Sequence, residues 1–445
     1  MSAPDRPGTA HAVVIGASIA GLLAARVLSE RFEQVTVVER DELPAEPQGR
    51  GGVPQAKHFH QLLSRGQQVM EELLPGLGAD VVSRGGQLVD TTEALRWLTP
   101  AGWAPRYRSG INVLGVSRDL LEWAIRQRVA ALDRVRVLDR TETVGLVLDD
   151  TREVRGVTLR RRGSGAEPEE LRADLVVDAS GRGSKVIGWL GEAGYDAPDE
   201  TIVDVGMGYA SRFYRIPDGF AEDWKAIYVQ AAPPTHPRSG IMIEVEGGRW
   251  LVSVNGVGAD APPTDDAGFL AYLRGLRDPA LYEALRDAEP ASPVAGFRHT
   301  GNRLRKVHQV DRWPTRLIVL GDALCSFNPV YGQGMTVASL QSLILRRLLA
   351  DGFPADLAKR FQRETARLVA GAFTMATGED YRFGAIDGVT PGAGTRFMHW
   401  YFDRITALKV HDRAVNDRFV RVLHMLDGPQ VLFHPGVVAK AITRR

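Results

Sequence analysis

The sequence predicts an α/β protein: a Rossmann-type nucleotide-binding domain, an antiparallel-sheet domain and a C-terminal helical region. Three observations carry this. Residues 12–39 read as strand, glycine turn, helix and second strand, the βαβ unit that binds dinucleotides. Two further apolar strands, 173–179 and 317–320, each run into a glycine-containing turn. Between them, alternating stretches such as 207–216 and 241–254 have the period of half-buried antiparallel strands.

In the first unit the strand 12–15 leads into Gly16-Ala17-Ser18-Ile19-Ala20-Gly21 and an Ala/Leu-rich helix over 22–30. Gly16, Ser18 and Gly21 occupy the three fingerprint positions, with Ser18 in place of the middle glycine. The second strand, 35–38, ends at Glu39, placed for ribose hydroxyls, with Arg40 beside it. An acid there repels a 2′-phosphate, so the expected tight ligand is FAD or NAD, not NADP. Residues 111–132 read as a strand and a helix. Short strands at 135–137, 144–148 and 154–159 read as a β-meander inserted over 134–162. Arg160-Arg161-Arg162 before Gly163-Ser164-Gly165 reads as a solvated hairpin tip. Within 195–300, residues 266–287 look helical. From Thr336 the pattern is helical to the end, with breaks at Gly352-Phe353-Pro354, Pro391-Gly392 and Gly428-Pro429. The expected organisation is a cofactor domain over 1–194, a substrate sheet over 195–300, a closing cofactor segment over 301–352 and a helical region over 353–445.

The third strand carries the most telling motif. Gly321-Asp322 follows it, then Asn328-Pro329-Val330-Tyr331-Gly332-Gln333-Gly334-Met335 opens a helix. Asp322 is placed to accept a hydrogen bond from a sugar-like hydroxyl. A helix N-terminus presents free N–H groups and a positive partial charge, which suits the ribityl chain and pyrimidine edge of FAD. Gly334 is expected where any Cβ would push that N-terminus away from the flavin.

These three ordered motifs resemble the FAD-dependent monooxygenases that include aromatic hydroxylases and squalene-type epoxidases. Gly321-Asp322 with Pro329 and Gly332-x-Gly334-Met335-Thr336-Val337-Ala338 is most similar to squalene epoxidase and bacterial polyether epoxidases. The resemblance makes the nucleotide domain a Rossmann-type FAD-binding domain. It also places Arg50, in the loop Arg50-Gly51-Gly52-Val53-Pro54-Gln55, and Arg118, in Ser117-Arg118-Asp119, at the cofactor. Val144 joins that expected set. Gln55 is the candidate for a hydrogen bond to the flavin ring, and His58, of His58-Phe59-His60, for orienting substrate or moving a proton on a helix of about 57–72. Metal binding by the His-x-His pair is not expected, for no third ligand is suggested.

The activity implied is monooxygenation, in which reduced FAD and oxygen form a C4a-hydroperoxide that epoxidises an alkene of a hydrophobic natural-product intermediate. The alternative is hydroxylation of a phenol-type ring; a further alternative is an FAD-dependent prenyl double-bond reductase. The halogenase signature Trp-x-Trp-x-Ile-Pro is absent. The middle motif has Ser180-Gly181 where hydroxylases carry Asp-Gly, so electrons are expected from NADPH or from a separate flavin reductase. The substrate wall is expected from Met207, Tyr209, Phe213, Tyr228, Met242 and Ile243.

Composition bounds the rest. A chain of 445 residues with 44% hydrophobic and 24% charged residues is that of an ordinary globular protein. A net charge of +1 gives no electrostatic case for nucleic acid or an anionic membrane. Cys325 is the single cysteine, which excludes an internal disulfide framework, and it reads as a packed thiol. No run of about 18 apolar residues predicts a membrane span, and no export signal precedes the first strand, so a cytoplasmic location is expected. Lysine supplies only seven of 55 basic residues, a bias of GC-rich bacterial genomes that fits secondary metabolism such as antibiotic biosynthesis.

Overall fold

A computed structural model describes residues 10–298, 300–384, 386 and 390–443. Five short apolar runs form a parallel sheet in the order Leu317–Val319, Leu175–Asp178, His11–Ile15, Gln34–Val38, Val135–Leu138. Its central strands carry apolar residues without alternation because both faces are covered. On one face the helices Ile19–Leu28, Arg118–Ala130 and Gly334–Leu348 bury Leu22, Leu121, Ile125 and Leu345. On the other, Val154, Val157 and Leu159 of an antiparallel meander pack with Val186 and Leu190.

That meander is Thr141–Leu148, Val154–Arg161 and Glu169–Arg172. Residues 135–137, expected as its first strand, lie instead in the parallel sheet, where Val135–Leu138 pairs with Gln34–Val38. A four-residue apolar strand reads the same in either setting; long-range pairing decides. Arg160, Arg161 and Arg162 are exposed at the hairpin tip, as expected.

The second sheet has seven strands, ordered Ala295–Phe297, Met207–Arg215, Arg249–Val257, Ser239–Val245, Ala226–Val229, Leu95–Thr99, Gly102–Trp103. One face is sealed by the helices Asp266–Arg274 and Ala280–Leu285 through Phe269, Leu273 and Leu281. The last two strands come from well before residue 195, and Leu95–Thr99 joins by a parallel pairing with Ala226–Val229. Neither is long enough to show its alternation in the sequence.

The helix expected over 57–72 begins later. Pro54–Lys57 is one 3-10 turn, residues 58–63 have no regular secondary structure, and the α-helix is Ser64–Leu73. The C-terminal part is helical, with Leu357–Asp380, Ala393–Lys409, Arg413–Leu423 and Pro435–Thr443. No helix among the described residues is long and apolar enough to cross a membrane.

Candidate active site

A cavity of about 510 Å³ opens where Ile15 and Val38 end their strands. Its size suits a sizeable organic ligand, and the carboxyl ends of parallel strands are where open α/β sheets bind theirs.

The first turn is shaped by backbone. Gly16 has φ +104°, and a Cβ there would lie 2.6 Å from the Ala179 carbonyl oxygen. A Cβ on Gly21 would sit 1.9 Å from the Gly16 carbonyl oxygen, so the helix can approach the turn only with hydrogen at that position. The first intrahelical bond runs from Leu22 N–H to the Ser18 carbonyl. Ser18, Ile19 and Ala20 face the cavity ahead of it, at the positive end of the helix.

A buried charge cluster backs this turn. The Glu39 carboxylate accepts the Ala17 N–H at 2.9 Å and the Asp41 N–H at 3.0 Å, and pairs with Arg50 at 3.1 Å. Arg50 also reaches Asp41 and Glu122, each at 3.0 Å. Burial opposes its charge, but these carboxylates overcome that and raise its pKa. Ser117 caps the helix that carries Arg118, its hydroxyl accepting the Leu120 N–H at 3.2 Å. Arg118 donates to the Ser18 hydroxyl at 2.7 Å and to Glu122 at 3.0 Å, while Ser18 donates to Glu122 at 2.7 Å. Burial works against the Glu122 charge too, yet Arg118 and Arg50 hold its pKa below the ordinary range. The hydroxyl that replaces the middle glycine is thus turned toward these two side chains.

The third motif meets the cavity from the opposite end of the chain. Gly321 (φ +60°) gives its N–H to the Gln341 side chain at 2.7 Å. Burial raises the pKa of Asp322, opposed by Arg182, Arg118 and Arg303. Gly332 has φ +63°, and a Cβ there would lie 2.9 Å from Gln61 Cβ. The helix Gly334–Leu348 then starts at the cavity, its first intrahelical bond running from Val337 to Gln333. The Gln333 side chain is buried on the cavity, and its Oε1 has no partner among the described residues.

Phe297 at the edge of the seven-stranded sheet, with Phe327, Gln55, His60 and Gln61, also lines the cavity. His58 lies outside it. Its Nδ1 is 2.7 Å from the Ser211 hydroxyl, which is 2.5 Å from that of Ser253. Burial, then Lys57, lowers the His58 pKa to about 4. His60 Nδ1 donates to the His58 carbonyl at 2.8 Å, which leaves Nε2 as the acceptor of the neutral ring. Burial, then Arg118, lowers its pKa to about 3.

The expected site residues therefore converge, with exceptions. Gly16, Ser18, Glu39, Arg40, Arg50 and Arg118 line the cavity. So do Gln55, Asp322, Pro329, Gly332, Gly334 and Met335. Gly21 acts one layer back, through the turn. Val144 does not line the cavity; its neighbours Thr141, Glu142 and Thr143 do. A bulge between Thr143 and Gly145 in that strand shifts the register. His58 gives way to His60. The six residues expected to form the substrate wall also lie elsewhere. Met242 packs on the outer helices, Ile243 and Phe213 pack near Phe59, and Tyr228 stacks on Trp97. Met207 and Tyr209 contact Asn328 behind the lining. Cys325 is buried, and burial raises its thiol pKa well above the ordinary value. Among the described residues no group of three or more His, Cys, Asp or Glu side chains is arranged to hold a metal.

The sequence pattern of the family described as "FAD binding domain" (FAD_binding_3) matches residues 9–234, just over half of the chain. The chain belongs to this FAD-binding-domain family. It is 37% identical to Protein Rv3254 of Mycobacterium tuberculosis over 97% of this chain and 93% of that one. Among solved structures it superposes on a triple mutant of the flavin-dependent brominase Bmp2 with TM-score 0.69, at 15% identity over 97% of this chain and 98% of that one. PqsL of Pseudomonas aeruginosa, described as "a probable FAD-dependent monooxygenase", gives 0.62 at 19% identity over 84% and 98%. The myxobacterial chondrochloren halogenase CndH gives 0.64 at 17% over 97% and 92%. These likenesses show the fold, that of FAD-dependent monooxygenases and halogenases. The cavity fits the family's cofactor on its own terms: two helix N-termini face one space, glycines shape both approaches, and Gln333 Oε1 has no partner among the described residues.

Proposed function

We propose that the protein is an FAD-dependent monooxygenase that epoxidises an alkene in a hydrophobic natural-product intermediate. Two electrons from a reductant and one O2 would give one oxygen atom to the alkene and one to water, and bound FAD supplies that redox chemistry. In this reading Glu39 would hold the ribose, the N–H groups before Leu22 and Arg118 would meet the diphosphate, and Asp322 would accept from the ribityl chain. The N-terminus of Gly334–Leu348 would meet the pyrimidine edge, and Gln55 would orient the ring. Phe297 and Phe327 give the reacting end an apolar lining, which helps exclude water.

The observation that carries epoxidation is His60. It faces the cavity, but burial and Arg118 hold its pKa at about 3. A lowered pKa makes this ring a weaker base than a free imidazole. An alkene needs no base. That favours epoxidation over hydroxylation of a phenol-type ring.

The electron source follows from the middle motif. The Ser180 hydroxyl and N–H both turn back to Asp178, at 2.5 and 3.0 Å, so this turn offers no carboxylate at the position of the hydroxylase Asp-Gly pair. Reduction by a separate flavin reductase should therefore outpace reduction by NADPH alone. Fast, substrate-independent reduction by NADPH would contradict this.

The class is tested by mixing the reduced protein with oxygen in a stopped-flow spectrometer. A transient absorbance distinct from oxidised and reduced flavin is expected. Direct reoxidation without one would favour the double-bond reductase.

A further inference from the structure

The cavity's third-motif segment is held from behind by a carboxylate outside all three motifs. Asp380 is the last residue of the helix Leu357–Asp380 and is fully buried. It accepts three side-chain hydrogen bonds: Tyr331 hydroxyl at 2.6 Å, Asn328 Nδ2 at 3.1 Å and Asn302 Nδ2 at 2.5 Å. Asn328 is itself fixed on every side. Its Oδ1 accepts the Tyr209 hydroxyl at 2.6 Å, and its N–H donates to Asn302 Oδ1 at 2.8 Å. Asn328, Pro329, Gly332, Gln333 and Gly334 all line the cavity.

This is an unfavourable place for an acid. A helix C-terminus carries negative partial charge, and the groups facing Asp380 include the like-charged Asp204 and the neutral phenol of Tyr331. Glu379 and Tyr209 also lie in this network through their influence on Tyr331. Among the described residues no Lys or Arg forms an ion pair with Asp380. Burial raises its pKa to about 6 despite the three donors. A buried anion without a cation is costly, so its three partners must be read together with what they position.

We infer that Asp380 is a positioning residue for the flavin site: through Asn302, Asn328 and Tyr331 it fixes the 328–334 segment and so aims the N-terminus of the helix Gly334–Leu348 into the cavity. When ionised it also leaves a negative charge one side chain behind the lining. The inference rests on reading the cavity as the FAD site.

Asp380→Asn retains size but puts an amide where only an acceptor fits. Asn302 cannot turn its oxygen toward that amide without giving up the Asn328 N–H. The test measures FAD affinity of deflavinated protein and the reduction potential of the bound flavin, with thermal unfolding recorded in parallel. FAD affinity should fall about tenfold, and the potential should become more positive, because a nearby negative charge no longer opposes reduction. Wild-type affinity and potential in Asp380→Asn would overturn the inference, even with a lowered Tm. If that variant fails to fold, Tyr331→Phe decides: it removes one donor and should weaken FAD binding by a smaller factor, and unchanged binding would overturn the inference equally. A wild-type protein that binds no FAD would instead overturn the reading of the cavity.

Discussion

Two helix N-termini face the same cavity and are held there in different ways. The N-terminus of Ile19–Leu28 is set chiefly by close backbone contacts: Gly16 lies against Ala179 and Gly21 against Gly16. The N-terminus of Gly334–Leu348 is set by side chains from afar: Asp380, Asn302 and Tyr209 converge on Asn328. The first is a backbone device and tolerates no added atom at the turn. The second is a polar clamp whose fixed geometry depends on each donor finding its acceptor.

The sharpest way to break the first device is Gly21→Ala. A Cβ at 1.9 Å from a backbone oxygen cannot be relieved by rotating a side chain. The expected loss is more than about 3 kcal/mol, or failure to accumulate folded protein. A chemical denaturation curve checks it; a change under about 1 kcal/mol would show that the turn yields more readily than its packing implies.

A smaller, graded effect separates the polar regions by pH. His58 and His60 have pKa values lowered from 6.5 to about 4 and about 3. Between those values and 6.5 the unfolded chain binds more protons than the folded one, so their contribution to stability rises with pH and is complete above 6.5. Asp380 runs the other way. Its pKa is raised from 3.8 to about 6, so its contribution falls as pH rises through that window. Denaturant midpoints between about pH 4 and 7 should rise less steeply with pH in His60→Gln and more steeply in Asp380→Asn than in the wild type.

The smallest stability effect is expected at Gly334. A Cβ there would meet only Asp322 Oδ1, at an ordinary 3.8 Å. Gly334→Ala should change stability by less than about 0.5 kcal/mol in the deflavinated protein. Any loss of FAD affinity in this variant then measures contact with the cofactor itself. The protein's own atoms leave room for a Cβ there, so the expectation that it would push the N-terminus away from the flavin concerns the cofactor alone; Gly332, with its left-handed φ of +63°, is the position that needs glycine for the chain's own sake.

These differences follow what a sequence can carry. The first turn is legible because strand, glycines, helix and Glu39 are contiguous. Asp322 and the Gly332–Gly334 segment are legible as a motif, but what holds them is not: Asn302 and Asp380 are 78 residues apart, and neither sits in a recognisable pattern. The sequence shows a strand at 135–137 but not its place at the edge of the parallel sheet, and the strands at 95–103 escape it altogether, because short apolar runs do not name their partners. The sequence places His58 at the start of a helix expected over about 57–72, but that helix starts only at Ser64. In the irregular strip before it, His58 turns to Ser211 and His60 to the cavity.

Everything above turns on whether this cavity binds FAD with Asp322 as a direct ligand. Titration of FAD into deflavinated wild-type protein and Asp322→Ala tests it. Loss of a charge-assisted hydrogen bond worth about 1.5–3 kcal/mol predicts affinity lower by a factor of about 10 to 100, with the fold intact. Equal affinity in the two proteins would contradict it.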